Sequence, residues 1–385
     1  MSLTIVSVHH TLVRVPFTAP IAWGSGTRLG TTRLLCRVET RGGHVGWGET
    51  LCLIAAVPAV FTDVVARLAL GYSVADVERL HRHVLGAGYY HHKRAAVMAT
   101  AALEMAMWDA FGKAASLPLY QLWGGRWRER VEAAAYTFTR SPETLAATLT
   151  RFVDEGHETF KVKIGFDAAS DIALAETARH AIGERALRLD VNGAWHVGTA
   201  KRQLDRLRAL DPAYVEQPLE LDDLAGAAHL RQLQPIPIAL DESAYTLQDA
   251  GNIVKAEAAD HLLLDPHQAG GLWQTIKAAG LCEAHGLQVG LHSGGELGPS
   301  QAAYLHLAAS VPNLSLAIDT ERTWLTGDVV TDPPRLERGH FHVPERPGLG
   351  VSIDESLVDR YRVDRIEGAY LDESRPGWFP IKPQY

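Results

Sequence analysis

The chain has 385 residues, more than one typical domain, and its 46% hydrophobic and 21% charged residues are typical of an ordinary globular protein. Its net charge of −8 argues against a nucleic-acid partner, which usually requires a basic face. No apolar run approaches the roughly 20 residues of a membrane span and the first residues lack the basic region of a signal peptide, so we expect a cytoplasmic protein with no membrane partner.

Residues 1–125 are predicted to form an α+β capping domain. Alternating apolar residues between positions 4 and 49 predict a small antiparallel sheet, and residues 58–123 read as helices, with the strongest helix over 95–115. Between the first strands, residues 17–32 are rich in Gly, Thr and Pro. That composition predicts a mobile specificity loop over a neighbouring active site, with Trp23, Arg28 and Arg33 as candidates to cover the substrate.

Residues 126–325 are predicted to form a (β/α) barrel. Short apolar runs that end in a polar residue recur at steps of 27, 26, 25, 24, 27 and 27 residues, with amphipathic helical segments between them. The polar residues are Lys163, Asp190, Glu216, Asp241, Asp265, His292 and Asp319. Barrel active sites form where the strands end, so these side chains should converge. The Pro- and Gly-rich segment 326–385 is expected to pack back on the capping domain.

Three consecutive strand ends carry the carboxylates Asp190, Glu216 and Asp241. Carboxylate oxygens without neighbouring cysteines are typical ligands of Mg²⁺. Each acid alone could merely cap the next helix, but three in register favour a shared metal site over separate caps.

Two acid/base groups are predicted to flank this site. Lys161 and Lys163 lie on one face of a strand, and we expect the metal and the mutual repulsion of the lysines to lower their pKa values, with Lys163 as the base. Asp265 is expected to orient His292, the second acid/base group. A metal between two such groups indicates removal of a proton next to a carboxylate.

Other residues are candidates to contact the substrate. Glu296 and Asp319 could bond the oxygens of an enolate. The other candidates, besides Arg28, are Asn192, Arg33, Trp23 and Tyr136, and Arg140 or His267 could add contacts.

The sequence resembles the enolase superfamily along nearly its whole length, and within it the mandelate racemase subgroup. The motifs that carry the resemblance are Gly46-Trp-Gly-Glu49, Glu104-Met-Ala-Met-Trp-Asp109, Lys161-x-Lys163, Asp190, Glu216-Gln-Pro218, Asp241-Glu-Ser, Asp265 followed by Gly270-Gly271, and His292. The resemblance implies a modified (β/α)7β barrel, Mg²⁺, carboxylate substrates and a homo-oligomer. The last predicted strand, with Asp319-Thr320, is similar to glucarate-type acid sugar dehydratases, although Asp241 stands where those enzymes commonly have Asn.

Three hypotheses about function follow. The first is a Mg²⁺-dependent dehydratase that converts a sugar acid to a 2-keto-3-deoxy acid. The second keeps the same site but makes the enzyme a racemase, an epimerase or a lactone cycloisomerase. The third is a metal-binding protein without turnover, which the intact lysine pair and the Asp265 and His292 pair disfavour because buried charges are costly to retain.

Overall fold

The computed structural model describes residues 2–23, 26–86, 92–366, 382 and 384–385. The N-terminal unit begins with an antiparallel sheet in the order β1-β2-β3, made of β1 (Ile5–Trp23), β2 (Gly26–Thr40) and β3 (Val45–Leu51). The helices that follow are α1 (Ala56–Val60), α2 (Ala66–Ala69) after a π-helical turn (Phe61–Val65), α3 (Val77–Gly86), α4 (Lys93–Ala115) and α5 (Leu119–Leu122).

Helix α4 packs directly on strand β3 because two glycines of the strand leave room for it. A Cβ atom added at Gly46 would lie 2.0 Å from the Ala106 carbonyl oxygen, and one at Gly48 would lie 2.1 Å from that of Ala102. The helix is rich in Ala and Met and is buried on nearly all sides. The glycines of the Gly46-Trp-Gly-Glu49 motif therefore set the distance between sheet and helix.

The structure differs from the sequence prediction over residues 17–32. Strand β1 continues to Trp23 and β2 begins at Gly26, so most of the predicted mobile loop is a paired hairpin. Its outer part pairs Ile21 with Arg28, beyond an irregularity in the register that begins at Pro16. Proline cannot donate a ladder hydrogen bond, so Pro16 and Pro20 fit the irregular register between Pro16 and Ile21 in a segment that still pairs.

The second unit is the predicted barrel. After β4 (Arg130–Glu132) come seven parallel strands among the described residues, and their order in the sheet follows the chain: β5 (Ala135–Thr137), β6 (Thr159–Lys163), β7 (Ala186–Asp190), β8 (Tyr214–Glu216), β9 (Ile238–Leu240), β10 (His261–Leu264) and β11 (Gln288–Leu291). The helices between and after them are α6 (Pro142–Asp154), α7 (Ala168–Ile182), α8 (Val197–Leu207) with a 3-10 turn (Arg208–Leu210), α9 (Leu224–Leu233), α10 (Leu247–Ala256), α11 (Pro266–Ala269), α12 (Leu272–Ala284) and α13 (Gly298–Ser310).

Residues 314–319 close the barrel, although they are not a regular strand as predicted. On one side the amide of Asp319 donates to the carbonyl of Leu291, at the end of β11. On the other side Ala133 and Ile318 form a parallel bridge next to β5. The segment therefore occupies the eighth position, and the predicted fold class, a TIM-like barrel with an α+β cap, is confirmed.

Two buried acids of the cap join the two units at helix N-termini of the barrel. Glu49 accepts hydrogen bonds from the amides of Leu297 and Ser300, at the start of α13. Glu104 accepts from the amides of Leu272 and Trp273, at the start of α12. A helix N-terminus carries unpaired N–H groups and partial positive charge, which explains acids at these motif positions.

The C-terminal segment contacts both units. Strands β12 (Leu336–Glu337) and β13 (His340–His342) form a small sheet with β4, whereas after α14 (Glu355–Tyr361) the amide of Val363 donates to Leu12 of β1. The tail residues 367–381 and 383, which were also predicted to pack on the cap, lie outside the described part. Tyr385 packs on the barrel, where its amide donates to Ala194 and its hydroxyl to Asp171.

None of the helices in the described part of the chain combines the length and the apolar character needed to cross a bilayer.

Candidate functional site

The polar residues at the strand ends stand at one rim of the barrel. Some are the last residue of a strand and others follow a strand by one residue: Lys163, Asp190 and Glu216 in the first group, and Asp241, Asp265 and His292 in the second. The sheet register sets Asp190 directly beside Lys163 on one side and Glu216 on the other.

Lys161 lies beneath this rim and is fully buried among carboxylates. Its Nζ atom is 2.7 Å from Glu216 Oε1, 2.6 Å from Asp319 Oδ2 and 3.2 Å from Asp190 Oδ2. Burial alone would lower the pKa of this ammonium, but the carboxylates, with Asp319 and Glu216 foremost, raise the pKa well above its usual value. The sequence predicts a lowered pKa with a bound metal; among the protein groups alone, the surrounding acids outweigh the neighbouring lysine.

Lys163 is closer to the open mouth of the barrel. Its Nζ atom donates to Asp190 Oδ2 at 2.5 Å and to Asn192 Oδ1 at 2.8 Å. The ring of Tyr136 lies under both lysines, with its centroid 4.7 Å from Lys161 Nζ and 5.3 Å from Lys163 Nζ. Carboxylate, amide and ring together fix the position of the amine.

The three predicted metal ligands differ in their electrostatic surroundings. Burial alone would raise the pKa of Asp190, but Lys163 and Lys161 hold it well below its usual range. Burial and the neighbouring Asp190 raise the pKa of Glu216 well above its usual value. Burial raises the pKa of Asp241 to about 7 against the opposing effect of His292. The carboxylates of the rim therefore carry more negative charge than Lys161 and Lys163 can neutralise.

A divalent cation would supply the missing positive charge, and the residues fit it chemically. No group of three or more acidic, histidine or cysteine side chains in the described ranges is arranged to hold a metal as it stands, since Lys161 and Lys163 draw Glu216 and Asp190 to themselves. Two buried oxygens in the same part of the chain, Glu216 Oε2 and Asp241 Oδ1, have no hydrogen-bond partner. Unpaired carboxylate oxygens suit Mg²⁺, so binding requires these side chains to shift away from the lysines.

His292 stands between two carboxylates. Its Nδ1 atom is 3.5 Å from Asp265 Oδ2 and its Nε2 atom is 3.5 Å from Asp241 Oδ2, which are ion-pair contacts too long for strong hydrogen bonds. Burial alone would lower the pKa of His292, but Asp241 and Asp265 raise it to about 10. The predicted pairing of Asp265 with His292 is therefore present as a contact.

Asp265 is itself held firmly. It accepts hydrogen bonds from the amide of His267 at 2.8 Å, from the hydroxyl of Tyr304 at 3.0 Å and from Nε2 of Gln268 at 2.9 Å. Burial alone would raise its pKa, but the contact with His292 and the neighbouring His267 keep the pKa well below its usual value. A charged, fixed acid behind the imidazole suits an orienting role.

A cavity of about 700 Å³ opens above the rim. Lys163, Asn192, Asp241 and His292 line it from the barrel side. The cap contributes an apolar wall, made of Leu51, Leu53, Ile54, Val97 and Met98. The cavity therefore lies between the cap and the barrel, and side chains of both units line it.

Only some of the predicted substrate residues line the cavity. Tyr136 and Asn192 line the cavity, whereas Arg33, Glu296 and Asp319 do not. Arg33 is fully buried and pairs with Glu49 at 2.5 Å. The side chain of Trp23 lies outside the described part of the structure.

The other two buried candidates are also taken up by neighbouring groups. Glu296 accepts from the Ser293 hydroxyl at 2.5 Å and from the Gly294 amide at 2.6 Å. Asp319 holds Lys161. Arg33, Glu296 and Asp319 therefore contact protein groups rather than the cavity in this structure, because those groups already satisfy their polar atoms.

Several residues that line the cavity were missed or left without a role. Glu242 lies in the Asp241-Glu-Ser motif, where only the Asp was considered; its Oε1 accepts from Asn192 Nδ2 at 2.8 Å and its Oε2 is buried without a partner in the described chain. Glu321 follows Asp319 by two residues and pairs with Arg28 at 2.5 Å. The motif itself could have pointed to Glu242, but no sequence signal predicts the pair between Arg28 and Glu321.

The chain is similar to known proteins along most of its length. The family model described as "Mandelate racemase / muconate lactonizing enzyme, N-terminal domain" matches residues 5–124, and the one described as "Enolase C-terminal domain-like" matches residues 144–357. A curated relative from Streptomyces coelicolor, named "Probable glucarate dehydratase", is 30% identical over 100% of this chain and 99% of its own length.

Solved structures are similar as well. An isomerase from Streptomyces coelicolor A3(2) has a TM-score of 0.85 and 33% identity, covering 94% of this chain and 99% of its own. An enolase from Pseudomonas fluorescens Pf0-1, solved with bound magnesium, potassium and tartrate, has a TM-score of 0.85 and 25% identity, covering 94% of this chain and 92% of its own.

Proposed function

The chain belongs to the mandelate racemase and muconate lactonizing enzyme subgroup of the enolase superfamily, and on that premise we propose that it removes the proton on the carbon next to a substrate carboxylate. We further propose that the substrate is a sugar acid, which loses water between C2 and C3 to give a 2-keto-3-deoxy acid. The relatives in this family include dehydratases, racemases and cycloisomerases, and among these reactions we propose dehydration.

One observation carries the proposal: two groups that can move protons face each other across a rim of carboxylates. Lys163 ends β6 and His292 follows β11, and four strands separate β6 from β11 in the sheet. In the other direction only β5 and the closing segment lie between them, so the two strands are on opposite sides of the barrel. Both side chains line the same cavity.

In the proposed reaction the amine of Lys163 takes the proton from C2, and the electron pair of that C–H bond moves into the carboxylate to form an enediolate. His292 then gives a proton to the hydroxyl group on C3, which leaves as water. The resulting enol takes a proton at C3, loses the proton of its C2 hydroxyl group to water and becomes the 2-keto acid. Asp265 holds the imidazole in place, and Asn192, whose Oδ1 accepts from Lys163 Nζ, helps to position the amine.

Asp190, Glu216 and Asp241 would hold Mg²⁺, as the unpaired oxygens of Glu216 and Asp241 indicate. When bound, this ion supplies positive charge that stabilises the two negative oxygens of the enediolate. The magnesium in the related Pseudomonas structure supports this assignment.

The test is incubation of the purified protein with Mg²⁺ in D₂O and a panel of aldonic, aldaric and uronic acids, read by proton NMR. A 2-keto-3-deoxy product is expected for at least one acid. Deuterium at C2 without loss of water would replace the dehydratase by a racemase or epimerase. Failure of every acid to exchange its C2 proton, with Mg²⁺ bound, would favour a metal-binding protein without turnover.

The apolar wall of the cavity favours epimerisation or cycloisomerisation as a second candidate. Leu53, Ile54 and Met98 offer no hydrogen bonds to sugar hydroxyls. A substrate with a hydrocarbon portion would bury that portion here at a gain of about 25 cal/mol per Å². The acid panel should therefore include muconate-like acids and N-acyl amino acids, and exchange with one of those alone would support this candidate.

A further inference from the structure

The first turn of helix α4 carries two basic side chains that line the cavity, Lys93 and Arg94. Neither belongs to the rim of polar strand ends, and the proposed chemistry does not use them. Both are exposed.

Their position is electrostatically unfavourable as it stands. A helix N-terminus carries partial positive charge, and acids rather than bases are favoured there. Helix α4 has no acid in its first turn, and His92 at its N-cap makes no side-chain capping hydrogen bond. No carboxylate in the described ranges lies within 4.0 Å of Lys93 or Arg94. Positive charge therefore accumulates at this end of the cavity without a protein counterion in those ranges.

Arg94 is also held in position. Its guanidinium carbon lies 4.0 Å from the centroid of the Tyr245 ring, and Tyr245 itself lines the cavity four positions after Asp241. A stacked guanidinium keeps its hydrogen-bond donors free at its edge, which suits recognition of a planar or tetrahedral anion. The stacking also reduces the entropy that binding would otherwise cost.

The acids on the cavity wall form no ion pair with Lys93 or Arg94 in the described ranges, and two of them are hydrogen-bonded elsewhere. Asp249 Oδ2 accepts from the amide and the hydroxyl of Thr246, which closes the start of α10. Glu242 is engaged by Asn192. Asp222 also lines the cavity but is exposed to solvent, where its charge is screened.

We infer that Lys93 and Arg94, with Tyr245 beneath Arg94, form a subsite for a second anionic group of the substrate, at the end remote from the carbon that loses its proton. The inference rests on the proposed function and adds to it the class of substrate, an acid with two anionic ends. The second anion is either a carboxylate, as in an aldaric acid, or a phosphate ester on an aldonic acid.

The experiment measures kcat/KM in the presence of Mg²⁺ for three acids of the same configuration: an aldarate, the corresponding aldonate and its terminal phosphate ester. The variant is Arg94→Met, which removes the charge but keeps an unbranched side chain. The matched control is Arg79→Met, because the Arg79 guanidinium stacks on Tyr72 at 5.0 Å in the same way but does not line the cavity.

We expect the wild type to prefer one of the dianionic acids, and Arg94→Met to lower that preference over the aldonate by about 5-fold, mostly through KM, since an ion pair made by an exposed side chain contributes up to about 1 kcal/mol. The identity of the preferred dianion distinguishes carboxylate from phosphate. Arg79→Met should keep the wild-type preference.

A wild type that prefers the aldonate, or an Arg94→Met variant that loses all three activities in equal proportion, overturns the inference while leaving the proposed function intact. If no acid turns over, the proposed function fails instead. Calorimetric titration of the Mg²⁺-loaded protein with the aldarate and the aldonate then decides the subsite: stronger aldarate binding that Arg94→Met removes supports it, and equal or absent binding overturns it.

Discussion

At the scale of single residues, the site is a set of charges that hold each other in place. Lys161 is fixed by three carboxylates below the cavity, while Lys163, two positions along the same strand, reaches the cavity. Alternation along a strand puts both on one face, as the sequence indicates, but depth within the barrel separates their surroundings. We therefore assign proton transfer to Lys163 and a positioning role to Lys161.

The assignment predicts that Lys163→Met lowers the rate of C2 proton exchange by about 100- to 10,000-fold, the usual contribution of a positioned base. Exchange into D₂O, followed by NMR with the identified substrate, measures it. Lys161→Met is a poor control because it unpairs Glu216 and Asp319. Lys277→Met serves better, since Lys277 pairs with Glu78 between α12 and α3. A loss below tenfold for Lys163→Met would exclude this lysine as the base.

Asp265→Asn should lower kcat by about 10- to 100-fold with little change in KM, because an amide cannot accept from every donor that now faces this carboxylate and the imidazole loses its orienting partner. Steady-state kinetics and a thermal melt measure both effects. Tyr304→Phe removes only one donor to Asp265 and should cost less than Asp265→Asn. If the Tyr304 variant is the more damaged of the two, the orienting role of Asp265 is wrong.

At the scale of elements, the sequence predicts strands β6 to β11 well because a polar residue after an apolar run marks the end of each, although the same mark at Asp319 belongs to no regular strand. It does not predict the hairpin over residues 17–32. Proline and glycine indicate a loop there, and the pairing of β1 with β2 cannot be read from the sequence. The sequence also predicts Arg33, Glu296 and Asp319 as substrate contacts, whereas protein groups bind all three in this structure. The residue type shows that these side chains need partners, but not whether substrate or protein supplies them.

The packing of β3 on α4 predicts that Gly48→Ala destabilises the protein by about 3 kcal/mol, because the new methyl group would overlap the Ala102 carbonyl and force sheet and helix apart. Gly280→Ala is the matched control. Gly280 lies in helix α12 with open space around it, so alanine there should stabilise by about 0.5 to 1 kcal/mol. Urea unfolding measures both changes, and similar effects for the two variants would contradict the packing argument.

The raised pKa of Glu104 predicts that the free energy of unfolding depends on pH. Burial raises its pKa from 4.5 to about 7, against the opposing hydrogen bonds from Trp273, Leu272 and Trp108. A carboxyl group whose pKa is higher in the folded state binds its proton more tightly there. Its contribution to stability is therefore complete below pH 4.5 and is lost as the pH rises through 7.

The measurement compares wild type with Glu104→Gln, which cannot titrate. Between pH 5 and 7.5 the free energy of unfolding of the wild type should fall relative to the variant by about 2 kcal/mol. Urea denaturation at several pH values gives this difference. A difference that stays constant with pH would mean that Glu104 is charged throughout, held so by its three N–H donors.

At the scale of the whole molecule, the cap and the barrel meet through buried charges as well as apolar contacts. The pair between Arg28 on the hairpin and Glu321 on the barrel is 4% and 2% exposed, so each charge depends on the other for neutralisation. Removing one member of such a pair typically costs about 3 to 5 kcal/mol, because the other stays buried and unpaired.

We expect Arg28→Met and Glu321→Gln each to destabilise the protein strongly, and the double variant to be more stable than the sum of the two losses implies. A double-mutant cycle by urea unfolding should give a coupling energy of about 2 kcal/mol or more. Because both side chains line the cavity, KM should also rise in each single variant. Strict additivity would show that the hairpin is held by its other contacts.

The closing segment at residues 314–319 determines when this protein can finish folding. The barrel closes only when position 318 pairs with position 133, so an early strand must wait for nearly the last part of the barrel to be synthesised. Contacts so distant in sequence form slowly. Until then β5 and β11 are open sheet edges able to pair with other chains, so we expect slow refolding that competes with aggregation as protein concentration rises.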